Sequence, residues 1–204
     1  MTRITKNPVE RKQELVDAAE SLFLEKGYER TAISDIVKKL NVAQGTFYYY
    51  FDSKTDALEA VVEKTIAVLE EELRAIVHRS DIDAPGKLKT MINSIFRFYR
   101  SKEKLADCVH HESNSFLHDR LEKITHARLV PQLSEVVSDG VAEGCFTVPY
   151  PTETAEVLLE AIVHFLHQPD LASDHNRSER ARITLEHVLV TVLGIRDYSF
   201  RLDL

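Results

Sequence analysis

The 204-residue sequence has no tryptophan, two cysteines (Cys108 and Cys145), six glycines and six prolines. Two cysteines cannot build a disulfide framework or a four-thiolate zinc site. So little glycine and proline excludes collagen-like and low-complexity chains. No apolar run approaches the roughly 18 residues that a membrane-spanning helix needs, and the first residues lack the apolar stretch of a signal peptide. We therefore expect a cytoplasmic protein with no membrane partner.

Charge is distributed unevenly along the chain. The formal net charge is −7, yet residues 1–54 contain nine Lys or Arg against eight Asp or Glu, whereas residues 55–204 contain 17 against 25. A protein that coats nucleic acid over its whole surface would be basic throughout, so that class is excluded. The asymmetry indicates that only the first segment faces a polyanion.

Helical periodicity runs through nearly all of the sequence and strand-like alternation is almost absent, which predicts an all-α fold. The first helix is expected over 9–26 and to end at Gly27, a C-cap signal. A short helix is expected to follow, with Thr31 as its N-cap and Asn41 at its end, and a second short helix over about 43–49. Ser53 is expected to cap a long helix over 54–79.

The next helix is predicted to end at about Ser101. Further helices are predicted over 104–111, over 113–143 with a kink at Pro131, over 153–168 and over 177–195. The last two are apolar around most of their circumference and need cover on every side. This predicts a four-helix interface with a second copy of the chain, the alternative being a fully buried pair within a monomer. The expected interface residues are Leu158, Ile162, Phe165, Leu166, Leu185, Val188, Leu189 and Val192.

Residues 31–51 have the pattern of a helix-turn-helix, two short helices joined by a three- or four-residue turn. The second helix would present Gln44, which suits adenine, and Thr46, which reaches a base or a phosphate. Tyrosine hydroxyls beside them donate to phosphates. Thr31 and Lys54, each at a helix start, would bracket the motif with phosphate contacts. The alternative is a helical hairpin whose tyrosine patch packs on another surface.

The segment from Glu14 to Leu58 resembles the tetracycline-repressor (TetR) family of one-component transcription regulators. The matching residues are Leu15, Ala18, Ala19, Leu22, Phe23 and Lys26-Gly27-Tyr28, then Thr31-Ala32-Ile33 with Asp35-Ile36, then Gly45 to Phe51, then Ser53-Lys54 with Leu58. Two positions depart from the family pattern: Asn41 stands where glycine is usual, and Ala43 where a serine often caps the recognition helix.

The resemblance implies a repressor that binds a palindromic DNA operator as a homodimer and is released by a small-molecule inducer. It implies a three-helix helix-turn-helix DNA-binding domain over 1–53 and a helical ligand-binding and dimerisation domain over 54–204, with no cofactor required. The DNA-contacting residues that it implies are Thr31, Ala32, Gln44, Gly45, Thr46, Tyr48, Tyr49, Tyr50 and Lys54.

The inducer pocket is expected in the second domain. Its candidate residues are Met91, Ile95, Phe96, Tyr99, Cys108, His111, Phe116, Leu117, Leu121, His164 and Phe165. An apolar stripe at helical spacing is more often core than pocket. His164 and Arg97 also offer polar hooks for an anionic or aromatic ligand.

Metal sensing is the alternative for the effector. Cys108 and His111 lie three residues apart, as do His164 and His167, so each pair shares a helix face and has the ligand types of a transition-metal site. Catalysis is not expected, because Cys108 and His111 are too close on one helix to align as nucleophile and base. The sequence also lacks a Gly-rich phosphate loop and a His-Glu-x-x-His motif.

Overall fold

The computed structural model describes residues 7–102, 105, 115–166, 168, 174–196 and 200–203, without the side chains of 115–118. Every regular element in these residues is an α-helix, which confirms the predicted fold class. The helices are α1 (Pro8–Lys26), α2 (Ile33–Lys39), α3 (Gln44–Tyr50), α4 (Lys54–Val77), α5 (Ala84–Ser101), α6 (Ser115–Ala142), α7 (Pro151–Leu166) and α8 (His175–Leu193). None of these described helices combines the length and apolar character needed to span a membrane.

Local sequence signals set the ends of the early helices. Gly27 ends α1 with a φ of 87° and donates its N–H to the Phe23 carbonyl at 3.0 Å. Ser53 caps α4, because its Oγ accepts the Asp56 N–H at 3.1 Å and the Asp56 carboxylate accepts the Ser53 N–H at 3.0 Å. Both predicted caps are therefore confirmed. Asn7 also caps α1 by accepting the Val9 N–H at 3.0 Å, a signal that the sequence analysis missed.

The start of α2 corrects the cap expected at Thr31. Thr31 is 1% exposed, and its hydroxyl donates to the Gly27 carbonyl at 2.8 Å instead of capping α2. The helix begins after Ala32, whose N–H donates to the Asp35 carboxylate at 2.9 Å. Asn41, in contrast, adopts the left-handed conformation expected of it, with a φ of 52°.

Two later helices start about two residues before the predicted positions. Asp174 caps α8 by accepting the N–H groups of Asn176 and Arg177 at 2.9 and 3.1 Å, so the helix begins at His175. Helix α7 begins at Pro151, a residue favoured at the first helical position. Helix α6 continues through Pro131. The short helix predicted over 104–111 lies outside the described residues, apart from Leu105.

The chain forms two compact units, and α4 runs from the first into the second. Among the described residues, the first unit contains 7–65 together with 102, 105 and 115–122, and the second contains 66–101 and those from 123 onward. Buried residues of the first unit include Leu15, Phe23, Ile36, Phe47 and Leu58. Those of the second include Leu73, Leu88, Met91, Leu159, Ile162 and Leu189.

A sharp chain reversal at the end of α6 requires glycine at position 140. The Gly140 carbonyl accepts the N–H groups of Cys145 and Phe146 at 2.8 and 2.9 Å, which folds the buried Phe146 ring back onto the helix. A Cβ placed on Gly140 would lie 2.1 Å from Phe146 Cδ2. Real Cβ atoms do not approach other atoms so closely, so a side chain here must displace the ring.

We expect Gly140→Ala to lower the free energy of unfolding by about 1–3 kcal/mol, because overpacking outweighs the helix propensity that alanine adds. Urea unfolding followed by circular dichroism measures the change. Ser138→Ala, on the exposed side of the same helix, is the matched control and should stay within about 0.5 kcal/mol of the starting protein. A Gly140→Ala variant as stable as the starting protein would contradict the close contact.

Candidate nucleic-acid interface

Helices α2 and α3 form the helix-turn-helix around a small apolar core. Ile36 and Phe47 are fully buried and Val37 is 6% exposed. The Phe47 ring packs on Phe51, with ring centroids 5.4 Å apart, and the Val42 N–H donates to the Val37 carbonyl at 3.0 Å in the turn. These contacts fix the angle between the two helices of the predicted motif.

Helix α3 carries exposed polar groups, and Gly45 and Tyr49 lie on the side opposite Phe47. Gln44 and Gly45 are exposed, and Tyr48 and Tyr49 are 49% and 76% exposed. Thr46 and Tyr50 are half-buried, and the Tyr50 ring meets Tyr49 edge-on with centroids 4.8 Å apart. The surface therefore offers an amide, hydroxyls and a glycine backbone to a partner, groups that can contact both base edges and phosphates.

Lys54 holds the start of α4 against the turn after α1. Its Nζ donates to the Tyr28 carbonyl at 2.8 Å and lies 4.1 Å from the centroid of the Tyr28 ring. The Tyr28 hydroxyl lies 3.0 Å from Thr55 Oγ1. In this structure the ammonium is thus directed at the protein, whereas the sequence predicted a phosphate contact.

Thr31 also has a role other than the predicted phosphate contact. Its side chain is buried, and its hydroxyl donates to the carbonyls of Gly27 and Leu22 at 2.8 and 3.3 Å. These bonds tie the end of α1 to the start of α2. Thr31 therefore positions the motif from inside, while the neighbouring Ala32 is exposed.

Two ion-pair groups tie α1 to its neighbours. Lys26 Nζ lies 2.5 Å from the Asp35 carboxylate on α2, and this bond and the Ala32 N–H lower the pKa of Asp35. Lys64 on α4 lies 2.7 Å from both Asp17 and Glu20 on α1. Burial opposes the charge on Lys64, but these two hydrogen bonds outweigh it and raise the pKa of its ammonium group.

The structure also shows two basic groups outside the set of DNA-contacting residues that the resemblance implies, of which the sequence analysis missed Lys38. Lys38 is exposed on α2, opposite the buried Ile36. Lys12 lies on α1 with its Nζ 5.5 Å from the Phe51 ring centroid. The position of Lys38 on the polar face of an amphipathic helix was the available signal. Both ammonium groups add sequence-independent attraction for phosphate to this unit.

Most described residues of the predicted inducer pocket lie in apolar cores. Met91, Ile95, Phe96 and Leu121 are buried, and Phe165 is half-buried. Burial raises the pKa of Tyr99 to about 12, although its hydroxyl bonds to Thr125. His164 is exposed beside Gln168. Cys108 and His111, and the side chains of Phe116 and Leu117, lie outside the described residues.

The metal hypothesis depends on residues that the structure does not describe. Cys108, His111 and His167 lie outside the described residues, and His164 is the one predicted ligand within them. In the described part of the chain, no group of three or more His, Cys, Asp or Glu side chains is placed to hold a metal ion.

The predicted dimer interface is corrected at four positions. Leu158, Ile162, Leu185 and Leu189 are at most 1% exposed, because α7 packs on α8 and on α5 within the protomer. Phe165, Leu166 and Val188 are half-buried, and Val192 is 43% exposed. The exposed apolar side chains of these two helices are Val157, Ile183 and Val192.

Family models match two parts of the chain. One described as "Bacterial regulatory proteins, tetR family" covers residues 15–61, and one described as "Tetracyclin repressor-like, C-terminal domain" covers residues 93–185. The first match contains the helix-turn-helix, and the second runs from α5 to α8.

Two curated relatives each match half of the chain or less. A helix-turn-helix transcriptional regulator from the lacX 3′ region of Lactococcus lactis is 32% identical over 97 residues, which are 48% of this chain and 50% of that protein. The IcaR negative regulator of the biofilm operon icaADBC of Staphylococcus aureus is 42% identical over 52 residues, 26% of this chain and 28% of that protein. The chain thus spans about half the length, or less, of these curated relatives.

Solved structures extend the likeness of fold over nearly the whole chain. SmeT, the repressor of the Stenotrophomonas maltophilia multidrug efflux pump SmeDEF, has a TM-score of 0.68 at 18% identity and matches 95% of this chain and 94% of its own. Identity this low supports a common fold.

We expect Thr31→Val to lower the free energy of unfolding by about 1–2 kcal/mol, because the bond from the buried Thr31 side chain to the Gly27 carbonyl is lost. Thr184→Val is the control, since the Thr184 hydroxyl makes the same bond to the carbonyl four residues earlier but is exposed. Thermal unfolding and DNA binding well below the melting temperature are measured together. Unchanged stability with weakened DNA binding would instead support the phosphate contact predicted from sequence.

Proposed function

The chain belongs to the TetR family of helix-turn-helix transcription regulators, and on that premise we propose that it is a ligand-responsive repressor. It binds a near-palindromic operator as a homodimer, and a small-molecule inducer releases it. The exposed polar face of α3, supported from behind by Ile36 and Phe47, is the observation that carries this proposal.

In the proposed complex α3 enters the major groove. Gln44, Gly45 and Tyr49 face base edges, because the amide suits adenine and glycine permits close approach of the backbone. Thr46, Tyr48 and Tyr50 donate to phosphates. Thr31 and Lys54 position the motif through their contacts within the protein. The DNA-binding domain, called the reading head below, is proposed to end near residue 53, where α4 begins.

The name of IcaR as a negative regulator supports repression rather than activation.

A second copy of the chain is proposed to cover α7 and α8. Val157, Ile183 and Val192 are 65%, 51% and 43% exposed, and they extend the apolar surface of helices whose other faces are buried. Two-fold pairing would place two reading heads on half-sites about one helical turn, ~34 Å, apart. The operator would then be a near-palindrome, in keeping with the symmetry of the protein.

The inducer is proposed to bind in the second domain and to shift the separation of the reading heads. One of the similar solved structures is a complex of SmeT with triclosan, which supports a small organic effector here. The inducer must favour the released state, and a coupling of about 1–3 kcal/mol is typical. Tyr99 and its apolar neighbours on α5 remain the proposed contacts, and metal sensing stays an untested alternative.

The DNA-binding proposal is tested with an operator selected from random duplexes by the full-length protein. We expect Gln44→Ala to lose about 1–3 kcal/mol of preference for the selected site, because one base contact is removed. Tyr48→Phe should weaken binding to selected and unrelated duplexes alike, because it loses a phosphate donor. Val68→Ala, at a 63% exposed position in the second unit, is the control. Unchanged site preference in Gln44→Ala would contradict the proposed orientation of α3.

The dimer proposal is tested by native mass spectrometry on protein purified without chelator. We expect a dimer for the starting protein and a monomer for Val157→Glu/Ile183→Glu, because the two carboxylates would be desolvated at the interface. Both positions are exposed in the protomer, so helix content by circular dichroism should not change. Val141→Glu, 38% exposed on α6, should remain dimeric. A starting protein that is monomeric would refute the interface, and any retained small mass would identify the effector class.

A further inference from the structure

A groove in the second unit lies between the later half of α4 and α5, and Asp203 stands at one end. Its volume is about 550 Å³, within the range of small-molecule sites. Ile76 and Ser94, both buried, and Ala75 give the groove a partly apolar lining. Around them lie Arg79, Lys89 and Arg97, with Glu72 and Asp203 as the acidic lining residues.

A carboxylate of the chain itself already occupies part of this groove. The Asp203 carboxylate lies 3.1 Å from Lys89 Nζ and accepts from Asn93 Nδ2 at 3.3 Å. The Asp203 backbone N–H donates to Asn93 Oδ1 at 3.1 Å. Asn93 thus pairs with an amide N–H and a carboxylate at once, which is a built recognition geometry for a ligand carrying both groups.

The same face of α5 has hydrogen-bond donors beyond those used by Asp203. Lys89, Asn93 and Arg97 follow at steps of four residues, so they form one line with successive residues about 6 Å apart along the helix. Arg97 uses Nη2 for Glu72 at 2.5 Å and for Ser94 at 3.0 Å. Within the described structure, its Nε and Nη1 donate to no side chain. A guanidinium has five N–H donors, so an anionic group can bind here without displacing Glu72.

We propose that this groove is a ligand site for small carboxylates, and that Asp203 takes the place of the ligand in the structure described. The matching ligand has a carboxylate separated by two carbon atoms from an amide N–H, as in an aspartyl residue. Its body lies over Ile76 and Ala75, and a further acceptor reaches Arg97.

The groove lies on a different face of α5 from the proposed inducer pocket. Met91 and Ile95, candidates for that pocket, are buried, and each lies two residues from Asn93, about 200° around the helix. Arg97, which the sequence offered as a polar hook for an anionic ligand, lies in the groove. The proposal uses none of the apolar candidates for the inducer pocket and does not depend on that pocket.

The segment that carries Asp203 has a second anchor, on α8. The Leu202 N–H donates to the Glu186 carboxylate at 2.7 Å. Glu186 is 5% exposed and also pairs with Arg182. Phe200 and Leu202 are buried. A ligand that displaces Asp203 from Lys89 thus acts on a segment fixed to α8, one of the two helices proposed for dimerisation.

The test uses N-acetyl-L-aspartic acid α-amide, which carries the amide N–H and the side-chain carboxylate of Asp203. N-acetyl-L-asparagine α-amide is the matched probe without the charge. We expect the aspartyl probe to bind Asp203→Ala about tenfold or more tightly than it binds the starting protein, because the tethered carboxylate competes at high effective concentration. Titration of the ¹⁵N signals, with Asn93 Nδ2 as the reporter, measures the dissociation constants.

The control variants separate the groove from general charge attraction. Lys89→Met in the Asp203→Ala background should abolish binding, whereas Lys123→Met, which removes an exposed lysine on α6, should leave it unchanged. Equal binding of the two probes, or equal affinity of Asp203→Ala and the starting protein, would overturn the proposal. Operator binding is not measured in this experiment, so its outcome is independent of the proposed repressor function.

Discussion

Presentation of α3 depends on one buried side chain. Seven residues are too few for a helix to be stable alone in water, and α3 has no side-chain cap at Ala43. Its stability must come from Phe47, which is fully buried and packs on Phe51. Because Phe47 faces inward, Gly45 and Tyr49, two residues before and after it on the opposite side of the helix, must face outward. The orientation of the candidate reading surface is thus a consequence of core packing.

Two polar side chains that the sequence suggested as phosphate contacts form hydrogen bonds within the first unit. Thr31 and Lys54 bond to backbone carbonyls at the end of α1 and in the turn that follows it. The Gly27 carbonyl lies past the end of α1 and has no helical partner, and the Tyr28 carbonyl accepts the Thr31 N–H at 3.1 Å as well as the Lys54 ammonium. A hydroxyl or ammonium group directed inward stabilises the first unit by donating a hydrogen bond to such a carbonyl. It contributes to recognition by holding the helices in position. Exposed groups such as Tyr49 and Lys38 are the ones available to a partner.

Helix α5 has two faces of different character. Leu88, Met91 and Ile95 form a buried apolar face, whereas Lys89, Asn93 and Arg97 form a polar face along the groove. One helix can therefore belong to a core and border a ligand site without conflict, because residues four apart share a face. The segment ending at Asp203 joins the polar face to α8 through Glu186.

The sequence by itself determined the helical class, the caps at Gly27 and Ser53 and the polar face of α3, because these depend on periodicity and on bonds between near neighbours. Only the tertiary structure decided the role of Thr31, the burial of Leu158 and Leu185, and the pairing of Asp203 with Asn93. Each of these depends on which distant surface or group a side chain meets. Helical periodicity identifies an apolar stripe, but burial within the protomer or against a second copy depends on how much surface the other helices cover.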